Sequence, residues 1–309
     1  MTRIPTTDID TFPLCLGGNV FGWTADREAS FAILDAFVEG GGDFIDTADV
    51  YSSFVEGNVG GESETIIGDW MAERGNRDEI VIATKTGLQA PYKGLSRDAI
   101  RGGVEECLRR LRTDVIDVFF AHLDDADTPL AETVGALNEV VAEGKARAIG
   151  VCNYSAERLS ALLAQGGASG ISVLQTHYNL VERSRFEGDL AAVAEANGLG
   201  ILPYYGLAQG FLTGKYRNRP GDPTGVRHSR IGKYLGDGPS FGVVDAVVAV
   251  ADRRGVEPAT VALAWLRSRP GVLAPIASAS RADQLPALLA SAGLDLSPED
   301  IEELDAASS

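Results

Sequence analysis

Short apolar runs alternate with helix-patterned segments along nearly the whole chain, and this alternation limits the possible folds more than any other feature. We predict eight strands, over residues 13–18, 43–47, 80–85, 115–122, 147–152, 173–176, 200–205 and 272–277. Most of these runs are apolar at consecutive positions, which is typical of strands that are buried on both faces of a parallel sheet. The pattern therefore predicts an α/β protein with helices covering a parallel sheet.

The segments between the strands carry the three-to-four-residue apolar spacing of helices. We predict helices over residues 26–39, 63–74, 96–111, 130–143, 156–165, 188–197, 243–254 and 258–269. Ser96 and Ser155 stand where a side-chain oxygen would cap a helix N-terminus.

Two architectures satisfy this alternation, an eight-stranded (β/α)₈ TIM barrel and a doubly wound open sheet. No G-x-G-x-x-G motif opens a helix in this sequence, and its absence favours the barrel. The 309 residues suit one domain over 1–309, because a barrel commonly uses about 250 residues. We predict a short hairpin before Pro13 and a long loop after the seventh strand, over the Gly-, Arg- and Pro-rich residues 215–242.

Charge and cysteine content narrow the partners and the compartment. The chain has 27 Lys and Arg against 44 Asp and Glu, a net charge of −17, which disfavours binding to nucleic acid or to an anionic membrane surface. Its three cysteines show no CxxC spacing, which favours a reducing compartment. The N-terminus lacks the apolar core of a signal peptide, and no apolar run approaches the roughly 18 residues of a membrane span. We expect a cytoplasmic protein.

Four polar residues that could move protons fall at or just after predicted strands: Asp46, Tyr51, Lys85 and His122. Asp46 and Lys85 are 39 residues apart, and Lys85 and His122 are 37 apart, about the length of one strand–helix unit. Barrel enzymes keep their catalytic groups at the C-terminal ends of such strands. Taken singly, each residue is more often a cap, a packing residue or a core histidine, so the prediction depends on the four together.

The segment Asp46-Thr47-Ala48-Asp49-Val50-Tyr51-Ser52 resembles the D-T-A-x-x-Y signature of the aldo-keto reductases. Six further segments resemble that family in the family's own order, at residues 83–85 (Ala-Thr-Lys), 122–125 (His-Leu-Asp-Asp), 150–155 (Gly-Val-Cys-Asn-Tyr-Ser), 175–180 (Gln-Thr-His-Tyr-Asn-Leu), 204–215 and 275–280. The resemblance covers nearly all of the chain and implies reduction of an aldehyde or ketone by a nicotinamide cofactor.

By this resemblance Asp46, Tyr51, Lys85 and His122 form the family's catalytic tetrad. Tyr51 would donate a proton to the developing alkoxide, and we expect the Lys85 ammonium to lower the pKa of this phenol. Asp46 would pair with Lys85, and His122 would donate a hydrogen bond to the carbonyl oxygen. The other two histidines, His177 and His228, fit these roles less well.

The resemblance also implies cofactor contacts. Asn153 and Gln175 match the positions that bind the carboxamide, and Tyr204 matches the aromatic residue that stacks on the nicotinamide ring. The loop around the pyrophosphate is matched by Leu207, Gln209, Gly210, Leu212 and Lys215. In the same loop this chain has Tyr205-Gly206 where the family usually has Ser-Pro, and we expect both residues to contact the cofactor. The remaining matches are Gly18, Asn19, Ile276 and, at the adenosine end, Ser278, Ser280, Arg281 and Gln284.

The sequence departs from the family pattern at the adenosine end. Ala277-Ser278 stands where Pro-Gly or a lysine is frequent, and Gln284 stands where an arginine is frequent. Members of this family usually bind NADP, so the resemblance favours NADP, with NAD as the alternative. Loops after the strands would set the substrate, here through Trp23, Phe54, Tyr92 and residues 215–242, although Trp23 and Phe54 also fit a packing role.

Two other classes of function remain open. A cofactor-binding sensor or accessory subunit could keep this fold with little turnover. A carboxylate-pair glycosidase could use Asp46 with Asp49 or Asp125, but it would leave Lys85 unexplained. We expect no metal site, a small-molecule carbonyl substrate, and leave the oligomeric state open.

Overall fold

Eight parallel strands form the centre of the molecule. The computed structural model describes residues 1–165, 171–217, 232–234 and 240–309. The parallel strands follow one another around the sheet in chain order: β3 (Cys15–Gly17), β4 (Phe44–Asp46), β5 (Val81–Thr86), β6 (Ile116–Ala121), β7 (Ala146–Cys152), β8 (Ile171–His177), β9 (Gly200–Tyr204) and β10 (Ile276–Ala277), with β10 paired to β3. The predicted (β/α)₈ barrel is confirmed.

The barrel is closed between β9 and the chain just before β10. The Ile201 N–H donates to the Gly271 carbonyl at 2.8 Å, and the Leu273 N–H donates to the Ile201 carbonyl at 2.9 Å. The predicted strand over 272–277 was too long, because only Ile276–Ala277 is a regular strand and Val272 forms an isolated bridge. Pro275 lacks the N–H that a continuous ladder would need, although its carbonyl still accepts from Cys15.

Helices connect the strands and cover the outside of the barrel. They are α1 (Arg27–Glu39), α2 (Glu62–Arg74), α3 (Arg97–Leu111), α4 (Leu130–Ala142), α5 (Ala156–Leu163), α6 (Asp189–Ala196), α7 (Ser240–Arg254), α8 (Pro258–Arg267), α9 (Leu285–Leu289) and α10 (Pro298–Ala307). Ser96 and Ser155 cap α3 and α5, as predicted, by accepting from backbone N–H groups at 3.3 and 3.2 Å. No helix within these described ranges is long and apolar enough to cross a membrane.

Alternate residues of each strand point into the barrel and out towards the helices. Phe44, Ala83, Val118, Val173 and Leu202 belong to the small apolar cluster inside the barrel. Side chains two positions further along these strands share the inward face because the strand period is two. That period places Asp46, Lys85, Gln175 and Tyr204, and His122 four positions after Val118, around the C-terminal end of the barrel.

The predicted short hairpin before Pro13 is confirmed as an antiparallel pair, β1 (Thr2–Arg3) and β2 (Asp10–Thr11), and it lies at the opposite end of the barrel. Ile4 and Ile9, next to these strands, are buried in the cluster inside the barrel. The hairpin therefore covers the N-terminal end and leaves the C-terminal end for the site. Of the predicted loop over 215–242, most positions and His228 lie outside the described residues.

Candidate active site

A buried lysine joins two of the predicted catalytic residues. The Lys85 ammonium, which is fully buried, donates to Asp46 Oδ2 at 2.8 Å, to the Thr47 carbonyl at 2.7 Å and to the Tyr51 hydroxyl at 2.9 Å. All three ammonium hydrogens therefore have acceptors. The opposite charge of Asp46 and the neighbouring dipoles compensate for the desolvation of this cation.

Tyr51 is presented by the segment that follows β4. Its hydroxyl accepts from Lys85 and donates to Asp46 Oδ2 at 3.1 Å. Burial raises the pKa of Tyr51 well above its ordinary value, and the Asp46 carboxylate raises it further. Burial and the Asp46 carboxylate next to the same hydroxyl therefore outweigh the lowering of this pKa that we expected from Lys85. The phenol is protonated at neutral pH and can act as a proton donor.

His122 stands next to Tyr51 with its ring at a steep angle. The two ring centroids are 6.1 Å apart and the planes meet at 77°. Burial, with help from the Lys85 charge, lowers the pKa of His122 to about 3, so the imidazole is neutral at physiological pH. Its Nδ1 atom is buried and has no hydrogen-bond partner among the described residues. A neutral imidazole here can donate one hydrogen bond to a ligand oxygen.

A cleft of about 540 Å³ opens at this end of the barrel. It is lined by Asp46, Tyr51 and His122 and by most of the predicted cofactor residues: Asn19, Asn153, Gln175, Tyr204, Tyr205, Gly206, Leu207, Gln209, Gly210, Lys215, Ile276, Ser278 and Gln284. Lys85 lies behind this wall. Gly18, Leu212, Ser280 and Arg281 do not line the cleft.

The two predicted carboxamide ligands already have partners inside the protein. Gln175 donates from Nε2 to Asp46 Oδ1 at 2.8 Å. Asn153 donates from Nδ2 to the His122 carbonyl at 3.1 Å and accepts from the Tyr204 hydroxyl at 2.7 Å. These bonds orient both amides next to the tetrad. Any ligand contact would use the hydrogen-bonding capacity that remains on each amide.

The loop after β9 lines the cleft and brings one ammonium to it. A 3₁₀ segment, Ala208–Thr213, contains Gln209 and Gly210 at φ values of 59° and 96°. The Lys215 ammonium lies 3.2 Å from the position that a Cβ at Gly210 would take, so both line the same part of the wall. Leu212 faces the other way, because its side chain is buried in the core and its N–H donates to the Leu207 carbonyl.

At the predicted adenosine end, polar side chains bond to one another. Ser278 and Asn19 share a hydrogen bond of 2.6 Å between Oγ and Oδ1. Gln284 accepts from the Ser280 N–H at 2.9 Å. Arg281 is mostly exposed and pairs with Asp283 at 3.0 Å. In this arrangement Arg281 does not line the cleft.

Several cleft residues were missed by sequence reasoning. Glu257, Pro258 and Ala259, at the start of α8, and Ala287 and Leu288, in α9, line the same cavity. The Glu-Pro pair marks a helix start in the sequence, but nothing in its local pattern indicates that this helix start meets the barrel mouth.

The predicted substrate residues divide between two places. Trp23 lines the cleft, and its ring meets that of Phe54 edge to face at a centroid distance of 5.1 Å. Tyr92 instead lies over α3, where its ring occupies the space that a Cβ at Gly102 would enter. Among these three, therefore, Trp23 and Phe54 are the aromatic residues at the candidate site.

Comparison with known proteins agrees with this geometry. The model of the aldo/keto reductase family matches residues 13–309. Protein tas of Escherichia coli is 33% identical over 336 residues, which cover 98% of this chain and 96% of that protein. A norsolorinic acid reductase of Aspergillus flavus is 31% identical over 317 residues, covering 95% and 76%. An aryl-alcohol dehydrogenase of Pestalotiopsis microspora is 29% identical over 320 residues, covering 97% and 80%. These matches support an oxidoreductase activity, and the chain belongs to the aldo/keto reductase family.

Proposed function

We propose that this protein reduces an aldehyde or ketone to an alcohol with NADPH, or alternatively NADH, and that Tyr51 is the proton donor. The observation that carries the proposal is the position of the Tyr51 hydroxyl. It lines the cleft and is held at hydrogen-bond distance by both the Lys85 ammonium and the Asp46 carboxylate. The hydroxyl proton points to Asp46, and turning this O–H towards a ligand oxygen requires no movement of the neighbouring heavy atoms.

The reduction needs a hydride on the carbonyl carbon and a proton on the carbonyl oxygen. A reduced nicotinamide cofactor supplies the hydride when bound. Tyr51 donates its hydroxyl proton to the oxygen, and the phenolate that results accepts the existing hydrogen bond from Lys85. The donor of this bond is already charged, and the bond strengthens when negative charge reaches the phenol, so it favours the transition state.

His122 orients the carbonyl in this scheme. The imidazole is neutral because of burial and the nearby Lys85, so it remains a hydrogen-bond donor without adding a second positive charge. A fixed donor beside Tyr51 would bind the carbonyl oxygen and stabilise the developing alkoxide.

The residues present fit a dinucleotide that lies extended along the cleft. Asn153, Gln175 and Tyr204 stand next to the tetrad and suit the nicotinamide end. The Lys215 ammonium, which lies beside Gly210 in the cleft wall, suits the pyrophosphate. Ser278 and Gln284 suit the adenosine end.

A reducing, cytoplasmic compartment is part of the same proposal. Cys15, Cys107 and Cys152 are all buried free thiols. Burial raises the pKa of Cys152, which lines the cleft, to about 12, so this thiol is protonated and unreactive at neutral pH.

The test is Tyr51→Phe, which removes one oxygen and keeps the ring. We expect kcat for reduction of an aromatic aldehyde to fall by roughly 10²- to 10⁴-fold, the usual contribution of a general acid. The dissociation constant for NADPH, from tryptophan fluorescence, should stay within about threefold of the wild-type value because Tyr51 is proposed to act on the substrate.

Tyr154→Phe is the matched control, because Tyr154 is also buried but does not line the cleft. It should turn over at the wild-type rate. Wild-type turnover by Tyr51→Phe would contradict the proton-donor assignment. Tight NADPH binding by the wild type with no turnover across a broad panel of carbonyl compounds would favour a cofactor sensor instead.

A further inference from the structure

His177, which no role above uses, packs directly against a wall residue of the cleft. We propose that His177 is a positioning residue that fixes the ring of Tyr204 as the platform for the nicotinamide. The inference rests on the proposed function, since it is that function that brings a nicotinamide to Tyr204. His177 itself does not line the cleft, and it acts through Tyr204.

The contact between the two rings is close and nearly parallel. Their centroids are 5.3 Å apart and the planes differ by 27°. The two residues are neighbours because β8 and β9 pair in parallel with His177 opposite Tyr204. Both side chains therefore leave the ends of adjacent strands on the same face. Stacked pairs of aromatic rings are favourable beyond the area that they bury.

Tyr204 is held at two points. Its hydroxyl donates to Asn153 Oδ1 at 2.7 Å, and its ring lies on His177. A tyrosine ring is oriented by two side-chain torsions, so one contact at the tip and one along the face leave little freedom. Tyr205, the next residue, meets His177 edge to face at 5.2 Å and Tyr204 edge to face at 5.0 Å.

The position of His177 is in turn supported by Asn179, two residues further along the chain. Asn179, which is fully buried, donates from Nδ2 to the Tyr205 carbonyl at 2.9 Å and lies 3.4 Å from His177 Nε2. An amide N–H can bond Nε2 only when that nitrogen carries no proton, so the neutral imidazole fits this contact. Burial lowers the pKa of His177 to about 4, and the ring therefore stays neutral through the physiological range.

This arrangement predicts an effect on one end of the cofactor only. Without the ring of His177, Tyr204 can rotate about its torsions, and a nicotinamide would have to reorder it on binding. The proposed adenosine contacts, Ser278 and Gln284, come from a different part of the chain, the residues after β10. Binding of a fragment that lacks the nicotinamide should not depend on His177.

The experiment measures two dissociation constants by fluorescence titration, for NADP⁺ and for adenosine 2′,5′-bisphosphate, which lacks the nicotinamide. His177→Ala should weaken NADP⁺ binding by roughly threefold to tenfold, the fold-change equivalent to one aromatic pair. Binding of the bisphosphate should be unchanged. His177→Phe keeps a flat ring beneath Tyr204 and should restore NADP⁺ affinity to near the wild-type value.

His177→Leu serves where the alanine variant does not fold, because leucine fills the space without a flat face. It should weaken NADP⁺ binding like alanine, whereas phenylalanine should not. Leu174→Ala is the matched control, since Leu174 is buried on the same strand but packs outside the barrel. It should lower stability without changing the ratio of the two dissociation constants.

Three results would overturn the inference. One is wild-type NADP⁺ affinity in both the alanine and leucine variants. Another is an equal loss of affinity for NADP⁺ and the bisphosphate, which would indicate a general structural role. The third is a phenylalanine variant no better than leucine. A wild-type protein that binds no nicotinamide cofactor would instead overturn the proposed function, so the two failures are distinguishable.

Discussion

Replacing Lys85 by methionine should separate the structural from the catalytic role of the buried ammonium. Methionine keeps a similar length and removes the charge and all three donors. Lys85→Met would leave the Asp46 carboxylate buried, with Gln175 and Tyr51 as its remaining side-chain donors among the described residues. Removing one partner of a buried ion pair destabilises a protein by about 3–5 kcal/mol, because the other charge is left uncompensated.

The effect of Lys85→Met on the catalytic barrier should be smaller than its effect on the free energy of unfolding. The hydrogen bond from the Lys85 ammonium to Tyr51 measures 2.9 Å and joins two opposite charges when Tyr51 is a phenolate. Such bonds contribute about 1.5–3 kcal/mol, so kcat should fall by roughly 10- to 100-fold. The free energy of unfolding would come from urea titrations followed by circular dichroism, and kcat from NADPH oxidation at saturating substrate.

Two further variants test whether the loss of stability comes from the uncompensated buried charge. Asp46→Asn combined with Lys85→Met removes both charges, and it should recover at least half of the lost stability while activity stays low. Lys145→Met is the control on the surface, where the ammonium is paired with Glu105 and Glu143. It should cost less than about 1 kcal/mol. A Lys85→Met protein as stable as the wild type would refute the uncompensated-charge argument.

Two further predictions concern buried polar groups. Tyr154→Phe should raise the free energy of unfolding by about 1 kcal/mol, because the Tyr154 hydroxyl is buried without a hydrogen-bond partner among the described residues; lower stability in urea would contradict this. For His122, the pKa in the folded state is about 3, below its ordinary value of 6.5, so the unfolded chain takes up the proton first. The stability that the neutral imidazole contributes is present above pH 6.5 and is lost as the pH falls from there towards 3. His122→Asn should remove this part of the pH dependence, and urea midpoints that differ by a constant amount between pH 7.5 and 5 would argue against it.

Much of the fold and of the candidate site could be predicted from local pattern. Apolar runs at consecutive positions mark strands buried on both sides, and the two-residue period carries Asp46, Lys85 and His122 to the inward face at the strand ends. Most of the predicted cofactor residues line the cleft for the same reason, since they follow successive strands. Leu212 is an exception, because its side chain is buried in the core. Nothing in the local sequence pattern shows this orientation.

The sequence by itself determined a parallel α/β fold, because alternation and periodicity are properties of neighbouring residues, and the missing G-x-G-x-x-G motif favoured the barrel over an open sheet. Only the tertiary structure determined the pKa values in the site and the contacts that orient the predicted residues. Gln175 bonds Asp46 across 129 residues of chain, and Asp46 with burial raises the pKa of Tyr51 against the effect expected from Lys85 alone. His177 looked like an ordinary strand-end residue until β8 and β9 paired and brought it under Tyr204. The burial of a side chain and the electrostatic potential at its atoms depend on residues that are distant in sequence. Both are therefore set only after the barrel has closed.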